Sequence, residues 1–168
     1  GDTIHVFPGT YPESIDYLGK SLTLLSTTGH LATTIQAQAG SVVTVAMNEG
    51  AGTSLVGFTL TGGTGTSFGP DLCGGGVFCN SASIAIMDCV IQGNSATLGG
   101  GVYAVSSPSL SLTGTVISDN SGQKGGGLYF QESSSQIEDC LIRSNVAGDG
   151  GGLWSQGGAL DVARTELD

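Results

Sequence analysis

The stretch CVIQGNSATLGGGVYA (89–104) returns twice, as TVISDNSGQKGGGLYF (115–130) and CLIRSNVAGDGGGLWS (140–155). The three copies align without gaps. In each, an Asn stands five residues ahead of a Gly triplet. Asn94, Asn120 and Asn145 precede triplets that begin at Gly99, Gly125 and Gly150, with spacings of 26 and 25. Repeats of this length cannot bury an apolar face singly, but stacked neighbours build one continuous core.

Upstream lies a stretched copy. FTLTGG (58–63) matches the first half of the repeat and GGGVFC (74–79) the second. Between them TGTSFGPDLC (64–73) is about six residues longer than its counterparts, which predicts a loop extruded from the wall. Earlier still, IHVF, LTLL and VTVA keep a two-residue alternation without the Gly triplet. The organisation read from this is a single domain over 1–168. Irregular coils cover 1–63, the extruded loop 64–73, and regular Asn/Gly coils 74–168.

Strands alternate in and out with period two. Ile84 and Ile86 therefore share a face, as do Leu110 and Leu112, and Leu160 and Val162. Val77, Val102, Leu128 and Leu153 form another column with one member per coil. Coils stacked at the strand spacing, about 4.8 Å, place such positions directly above one another. The fold class expected is all-β: a right-handed parallel β-helix of about six to seven coils, with little or no helix. The Gly triplets suit a tight corner with unusual φ or close backbone approach. The Asn column suits a structural ladder of side-chain amides along the stack.

Charged residues are only 11% of the chain, and 14 acidic against 4 basic residues give a net charge of -10. Lys20, Lys124, Arg143 and Arg164 are scattered, which sets nucleic-acid binding aside, since that function needs a basic patch. No apolar run is long enough for a transmembrane helix. The chain begins at Gly1 and reads as a mature chain or a piece of a longer one.

GDTIHVFPGTYPESI (1–15) and GKSLTLLSTTG (19–29) resemble the opening coils of secreted pectate-lyase-like β-helix proteins. SASIAIMDCVIQGNSATLGGGVY (81–103) resembles the parallel β-helix repeat of bacterial surface proteins. It is also similar to the GGA(I/L/V) and FxxN repeats of chlamydial polymorphic outer-membrane proteins, here as GGGV or GGGL with VIQGN, VISDN and LIRSN. The resemblance implies the fold and an extracellular or cell-surface location. It does not fix a function, because this fold hosts lyases, hydrolases, esterases, adhesins and structural repeats.

The enzyme constellations of such folds are incomplete here. Polygalacturonase motifs are missing, and the PGTYPE opening (8–13) lacks the catalytic segments of pectin methylesterases. A pectate lyase needs clustered carboxylates for calcium and an Arg base. Asp88 and Asp139 fall in one column two coils apart, with Gly114 between, so about 10 Å separates them, too far to share an ion. Arg143 is expected to pair with Asp139. His5 should point outward from its strand, and neither it nor His30 sits in a nucleophile–base pattern. No metal site, cofactor or catalytic residue emerges; calcium has no identifiable site.

Cys89 and Cys140 share a column two coils apart and are expected as buried small apolar residues. Cys73, at the end of the extruded loop, could pair with Cys79 or Cys89, so a disulfide among Cys73, Cys79 and Cys89 is one expectation. Phe78, Tyr103, Tyr129 and Trp154 each follow an inward residue, which predicts an outward aromatic ladder. Such a ladder could simply stabilise the wall, or serve as a contact stripe for a glycan or partner.

Neither Gly1–Ile4 nor LDVARTELD (160–168) reads as a cap. Bare edges invite pairing. Two explanations compete: neighbouring coils of a larger chain, or homotypic end-to-end stacking of copies into filaments. The function expected is a non-catalytic extracellular module with a structural, self-assembly or adhesive role. The alternative is a carbohydrate-binding or pectate-lyase-like polysaccharide-active protein.

Overall fold

The computed structural model describes residues 1–168. Three parallel walls make up the molecule, and it contains no helix. Wall one holds seven strands: Thr3–Val6, Thr23–Ser26, Ser54–Val56, Ser83–Met87, Ser109–Thr113, Ser135–Glu138 and Leu160–Ala163. Wall two holds seven: Gly9–Tyr11, Thr33–Gln36, Thr59–Thr61, Val90–Gln92, Val116–Ser118, Leu141–Arg143 and Glu166–Leu167. Wall three holds six: Ile15–Asp16, Val43–Val45, Val77–Asn80, Val102–Val105, Leu128–Gln131 and Leu153–Gln156. The chain visits the walls in strict rotation, which gives six coils and two strands of a seventh. The sequence-irregular region 1–63 follows the same three walls.

Alternation decides what each wall buries. In wall one, Leu24, Leu55, Ile86, Leu112 and Ile137 are register partners that point inward. Wall two contributes Ile35, Leu60, Ile91, Ile117 and Ile142, and wall three Val43, Val77, Val102 and Leu128. Together with the corner residues they form one core of 27 buried residues. Each fully buried Leu, Ile or Val contributes roughly 1.5–3 kcal/mol, so the core is a sum of many equal rungs.

From the third coil on, walls one and two meet at a single left-handed residue per coil: Gly57, Asp88, Gly114, Asp139 and Arg164, with φ between 47° and 77°. Gly114 in the same column as two Asp residues marks the position as one that needs positive φ, which Gly and Asp tolerate best. Next in chain come Cys89, Thr115, Cys140 and Thr165. Side chains of this column receive backbone N–H groups from the preceding coil: Phe58 N–H reaches Cys89 Sγ at 3.4 Å, Cys89 N–H reaches Thr115 Oγ1 at 3.4 Å and Cys140 N–H reaches Thr165 Oγ1 at 3.3 Å. The buried cysteines thus share a hydrogen-bonding column with threonine rather than only filling space.

Between walls two and three runs the Asn/Gly corner. Asn120 Nδ2 donates to Ile91 O at 2.9 Å and to Asn145 Oδ1 at 3.0 Å, while its Oδ1 accepts from Asn94 N and Nδ2, both at 3.1 Å. Every polar atom of that buried amide is satisfied. The third glycine of each triplet makes room for this ladder. A Cβ on Gly101 would stand 2.5 Å from Gly127 O and 3.1 Å from Asn120 Nδ2. The glycines therefore answer close approach between coils as well as φ.

The insertion 64–73 forms an antiparallel hairpin, Thr66–Phe68 with Asp71–Cys73. Its base is stitched to coils on both sides. Thr64 and Gly65 N–H donate to Gly40 O, and Leu72 O accepts from Thr97 and Leu98 N–H.

Candidate functional site

The outer face of wall three brings the sequence-predicted aromatic residues together. Phe78, Tyr103, Tyr129 and Trp154 are register partners on successive strands. Their ring centroids lie 5.7, 5.2 and 4.2 Å apart, with interplanar angles of 4°, 13° and 10°. They turn away from the main core, as alternation requires. They are not, however, an exposed stripe: Phe78, Tyr103 and Tyr129 are only 4%, 2% and 5% accessible. The hairpin covers the first two, and Tyr129 is closed between Tyr103 and Trp154. Phe68 packs on Phe78 at 5.7 Å and on Tyr103 at 6.3 Å, and Cys73 joins the same cluster. The expected outward ladder is thus a second small core, and the open surface is confined to Trp154, which is half-buried. The sequence marks the insertion by its length but carries no sign of what it lies on.

Burial raises the Tyr103 hydroxyl above its ordinary pKa, with Cys73 and Tyr129 adding to the effect. Tyr129 is raised by burial, then by Cys73 and Asp71. At the uncovered end, the Lys124 ammonium sits over the Trp154 ring, 5.5 Å from its centroid.

The cysteine expectation needs correction. Cys73, Cys79, Cys89 and Cys140 are all free and buried, so no disulfide joins Cys73 to Cys79 or Cys89. The reason is the wall itself. Cys73 lies in the outer aromatic cluster, whereas Cys79 and Cys89 face the main core. Cys79 Sγ instead meets Ser107 Oγ at 3.2 Å. Burial pushes the thiols of Cys73, Cys79 and Cys89 up to about 11.

Charge pairing also differs from the expectation for Arg143, which makes no ion pair. Arg164, one coil above Asp139 in the left-handed column, takes its place. Its Nε meets Asp139 Oδ1 at 2.6 Å, and its Nη2 meets Asp139 Oδ2 at 3.0 Å and also pairs with Glu138. Strand geometry explains the switch, because vertical neighbours are one rise apart while Arg143 lies on another wall. Asp88 and Asp139 stay apart, with the Asp88 carboxylate packed over Gly114. His5 is exposed, and His30 Nδ1 contacts Asp88 O at 3.1 Å. No three His, Cys, Asp or Glu side chains converge as metal ligands.

Two buried polar groups escaped the sequence reading. Glu49, 1% accessible, accepts N–H from Gly19 at 2.8 Å and Met47 at 2.7 Å. Tyr17 donates its hydroxyl to Ser54 O at 2.7 Å. Both lie in the irregular coils, where no repeat supplies a column to compare.

A protein-family model described as right handed beta helix region matches residues 33–165. The chain belongs to the right-handed β-helix family. The matched span includes the later part of the second coil, the third coil and the hairpin, so these are part of the β-helix rather than an appendage. No curated protein and no solved structure matches this β-helix.

Proposed function

We propose that this β-helix is a non-catalytic, extracellular or cell-surface structural module that joins further coils at its ends, with head-to-tail stacking of copies as the mode of assembly. One observation carries the reading. The inward column of wall one is fully buried at Leu55, Ile86 and Leu112, yet its end members Ile4 and Val162 are 48% and 40% accessible. Phe7 and Leu167 beside them are 71% and 52% accessible. Within residues 1–168, Thr3–Val6 and Leu160–Ala163 each pair on one side, with the same in-and-out phase as the interior pairs. Edges of this kind accept another strand, and a heterologous contact repeats into an open stack. Walls one and two would carry the junction.

The location is supported by the resemblance to secreted and surface proteins. The glycan reading loses support from the burial of three of its four aromatic residues, two of them under Phe68 of the hairpin.

The test is electron microscopy and light scattering of the purified chain at rising concentration. Rods that lengthen with concentration, and that disappear in the double variant Ile4→Asp, Val162→Asp, are expected. A wild-type chain that stays monomeric at high concentration overturns the assembly reading.

A further inference from the structure

Aromatic pairs free to choose prefer offset or edge-to-face arrangements. The register of wall three instead holds Phe78, Tyr103, Tyr129 and Trp154 nearly parallel, with centroid steps of 5.7, 5.2 and 4.2 Å. The result is one unbroken column of π systems outside the main core. Its chemistry is graded along its length. Trp154 is the only tryptophan of the chain, and indole gives up an electron more readily than the other two ring types. A phenol follows when its proton can leave with the electron. Phe78 has no such proton, so an oxidising equivalent in the column can travel no further than Tyr103. The Cys73 thiol stands beside the hydroxyl of that ring, inside the same buried cluster. Burial keeps both groups protonated at neutral pH, so each holds a hydrogen that it can yield. Cys79, Cys89 and Cys140 lie in the main core, on the other side of the wall.

We propose that the column is a radical relay, which carries a one-electron oxidising equivalent from Trp154 through Tyr129 and Tyr103 to the Cys73 thiol. A one-electron oxidant such as the azide radical takes an electron from Trp154 and becomes azide. The indole N–H proton passes to water, which leaves a neutral indolyl radical. Tyr129 then loses an electron and its phenolic proton, while the indole regains one of each. Trp154 is restored and Tyr129 is a tyrosyl radical. The same exchange moves the radical one rung to Tyr103. In the last step the Cys73 S–H bond breaks, the Tyr103 O–H bond reforms, and a thiyl radical remains beneath the hairpin. Every step after the first moves one electron and one proton, so atoms and charge balance. Transfer needs rings in contact rather than an open ring face, so the relay does not depend on how exposed Trp154 is. It is equally independent of end-to-end assembly.

The test is pulse radiolysis of the full chain in azide solution, following the indolyl and tyrosyl absorption bands. In wild type the indolyl radical should decay as the tyrosyl radical grows in, and the tyrosyl radical should then fade. Tyr129→Phe sets a ring that cannot carry the radical between Trp154 and Tyr103, so the indolyl radical should persist and the tyrosyl growth should be lost. Cys73→Ser leaves Tyr103 beside a hydroxyl that does not yield its hydrogen, so the tyrosyl radical should outlast that of wild type. Cys79→Ser removes a thiol on the main-core side and should follow wild type. Circular dichroism verifies that each variant keeps the fold. The proposal is overturned if the indolyl radical of Tyr129→Phe decays as in wild type. It is overturned equally if Cys73→Ser leaves the tyrosyl lifetime unchanged, or if Cys79→Ser lengthens it as much.

Discussion

Asn94 and Asn120 stand one coil apart, and Nδ2 of the first donates to Oδ1 of the second at 3.1 Å. Asn120 repeats the gesture toward Asn145 at 3.0 Å. Because Asn120 is buried and fully bonded, Asn120→Ala leaves the Asn94 N–H without its partner and strips a hydrogen bond each from Ile91 O, Asn94 Nδ2 and Asn145 Oδ1. Each unsatisfied group costs about 1–3 kcal/mol, so a loss of roughly 3 kcal/mol or more is expected. Asn145→Ala takes the same acceptor from the Asn120 N–H and Nδ2, but Asn145 is half-buried and water can replace it, so the loss should be smaller, about 1 kcal/mol. Urea unfolding of the two variants measures the contrast, and equal losses would show that the ladder is not what stabilises the corner.

Glycine positions separate by what surrounds them. Gly101→Ala puts a methyl 2.5 Å from the Gly127 carbonyl, and backbone cannot step aside cheaply. A destabilisation of about 3 kcal/mol is expected, the upper part of the overpacking range. Gly52→Ala meets nothing nearer than Ser21 Cβ at 3.9 Å and sits at an ordinary φ. It should be neutral, or stabilising by about 0.4–1 kcal/mol through the unfolded chain. Thermal melts of both variants decide whether close approach, rather than glycine flexibility, explains the triplets.

The regular coils were legible because repetition turns sequence into register. Once Asn94, Asn120 and Asn145 are aligned, the inward columns, the ladder and the corner follow from a single rise. The left-handed corner shared by Asp88, Gly114 and Asp139 emerges only with the backbone angles. Legibility failed where contacts have no periodic counterpart. Nothing in 64–73 states that Phe68 will lie on Phe78 and Tyr103, since a hairpin's landing place depends on three dimensions rather than spacing. Arg143 looked like a partner for Asp139 because it is four residues away in the chain, while Arg164 is adjacent only after coiling. The same holds for Glu49, whose partners Gly19 and Met47 come from different coils.

The Arg164 pairing predicts a specific acid response. Hydrogen bonds from Arg164 hold the Asp139 carboxyl below the usual carboxylate range. A group with a depressed folded pKa stabilises above its unfolded value, about 3.9, and loses that contribution as pH falls through the folded value. The effect is confined to acid below about pH 4. Because the pair is fully exposed and salt screens it, little change in melting temperature is expected at neutral pH. Carbon-detected titration of Asp139 in Arg164→Ala should show its pKa rising toward the ordinary value, whereas Arg143→Ala should leave it unmoved. A response to Arg143→Ala would restore the pairing read from sequence proximity.

The four cysteines give the sharpest check on the two-core arrangement. With Cys79 and Cys89 facing the main core and Cys73 in the aromatic cluster on the other side of the wall, Cys73 cannot reach either of them, and all four thiols are free. Burial also keeps these three thiols protonated, with values pushed up to about 11, so the nucleophilic thiolate is scarce at pH 8. An aromatic disulfide reagent should therefore titrate four thiols in denaturant and almost none in the native protein at that pH. Shortening 64–73 to the four-residue corner SGQK, which coil five carries at 121–124, removes Cys73 and uncovers Phe78 and Tyr103. Three thiols should then titrate in denaturant, still silent when native, because Cys79 and Cys89 answer to the main core and not to the hairpin. The Tyr103 hydroxyl, freed of its cover and of Cys73, should titrate closer to an ordinary tyrosine in the ultraviolet spectrum. Fewer than four reactive thiols in the denatured wild type would mean that a disulfide forms after all, and native reactivity of Cys79 after the deletion would mean that the hairpin holds the main wall closed as well as covering the aromatic one.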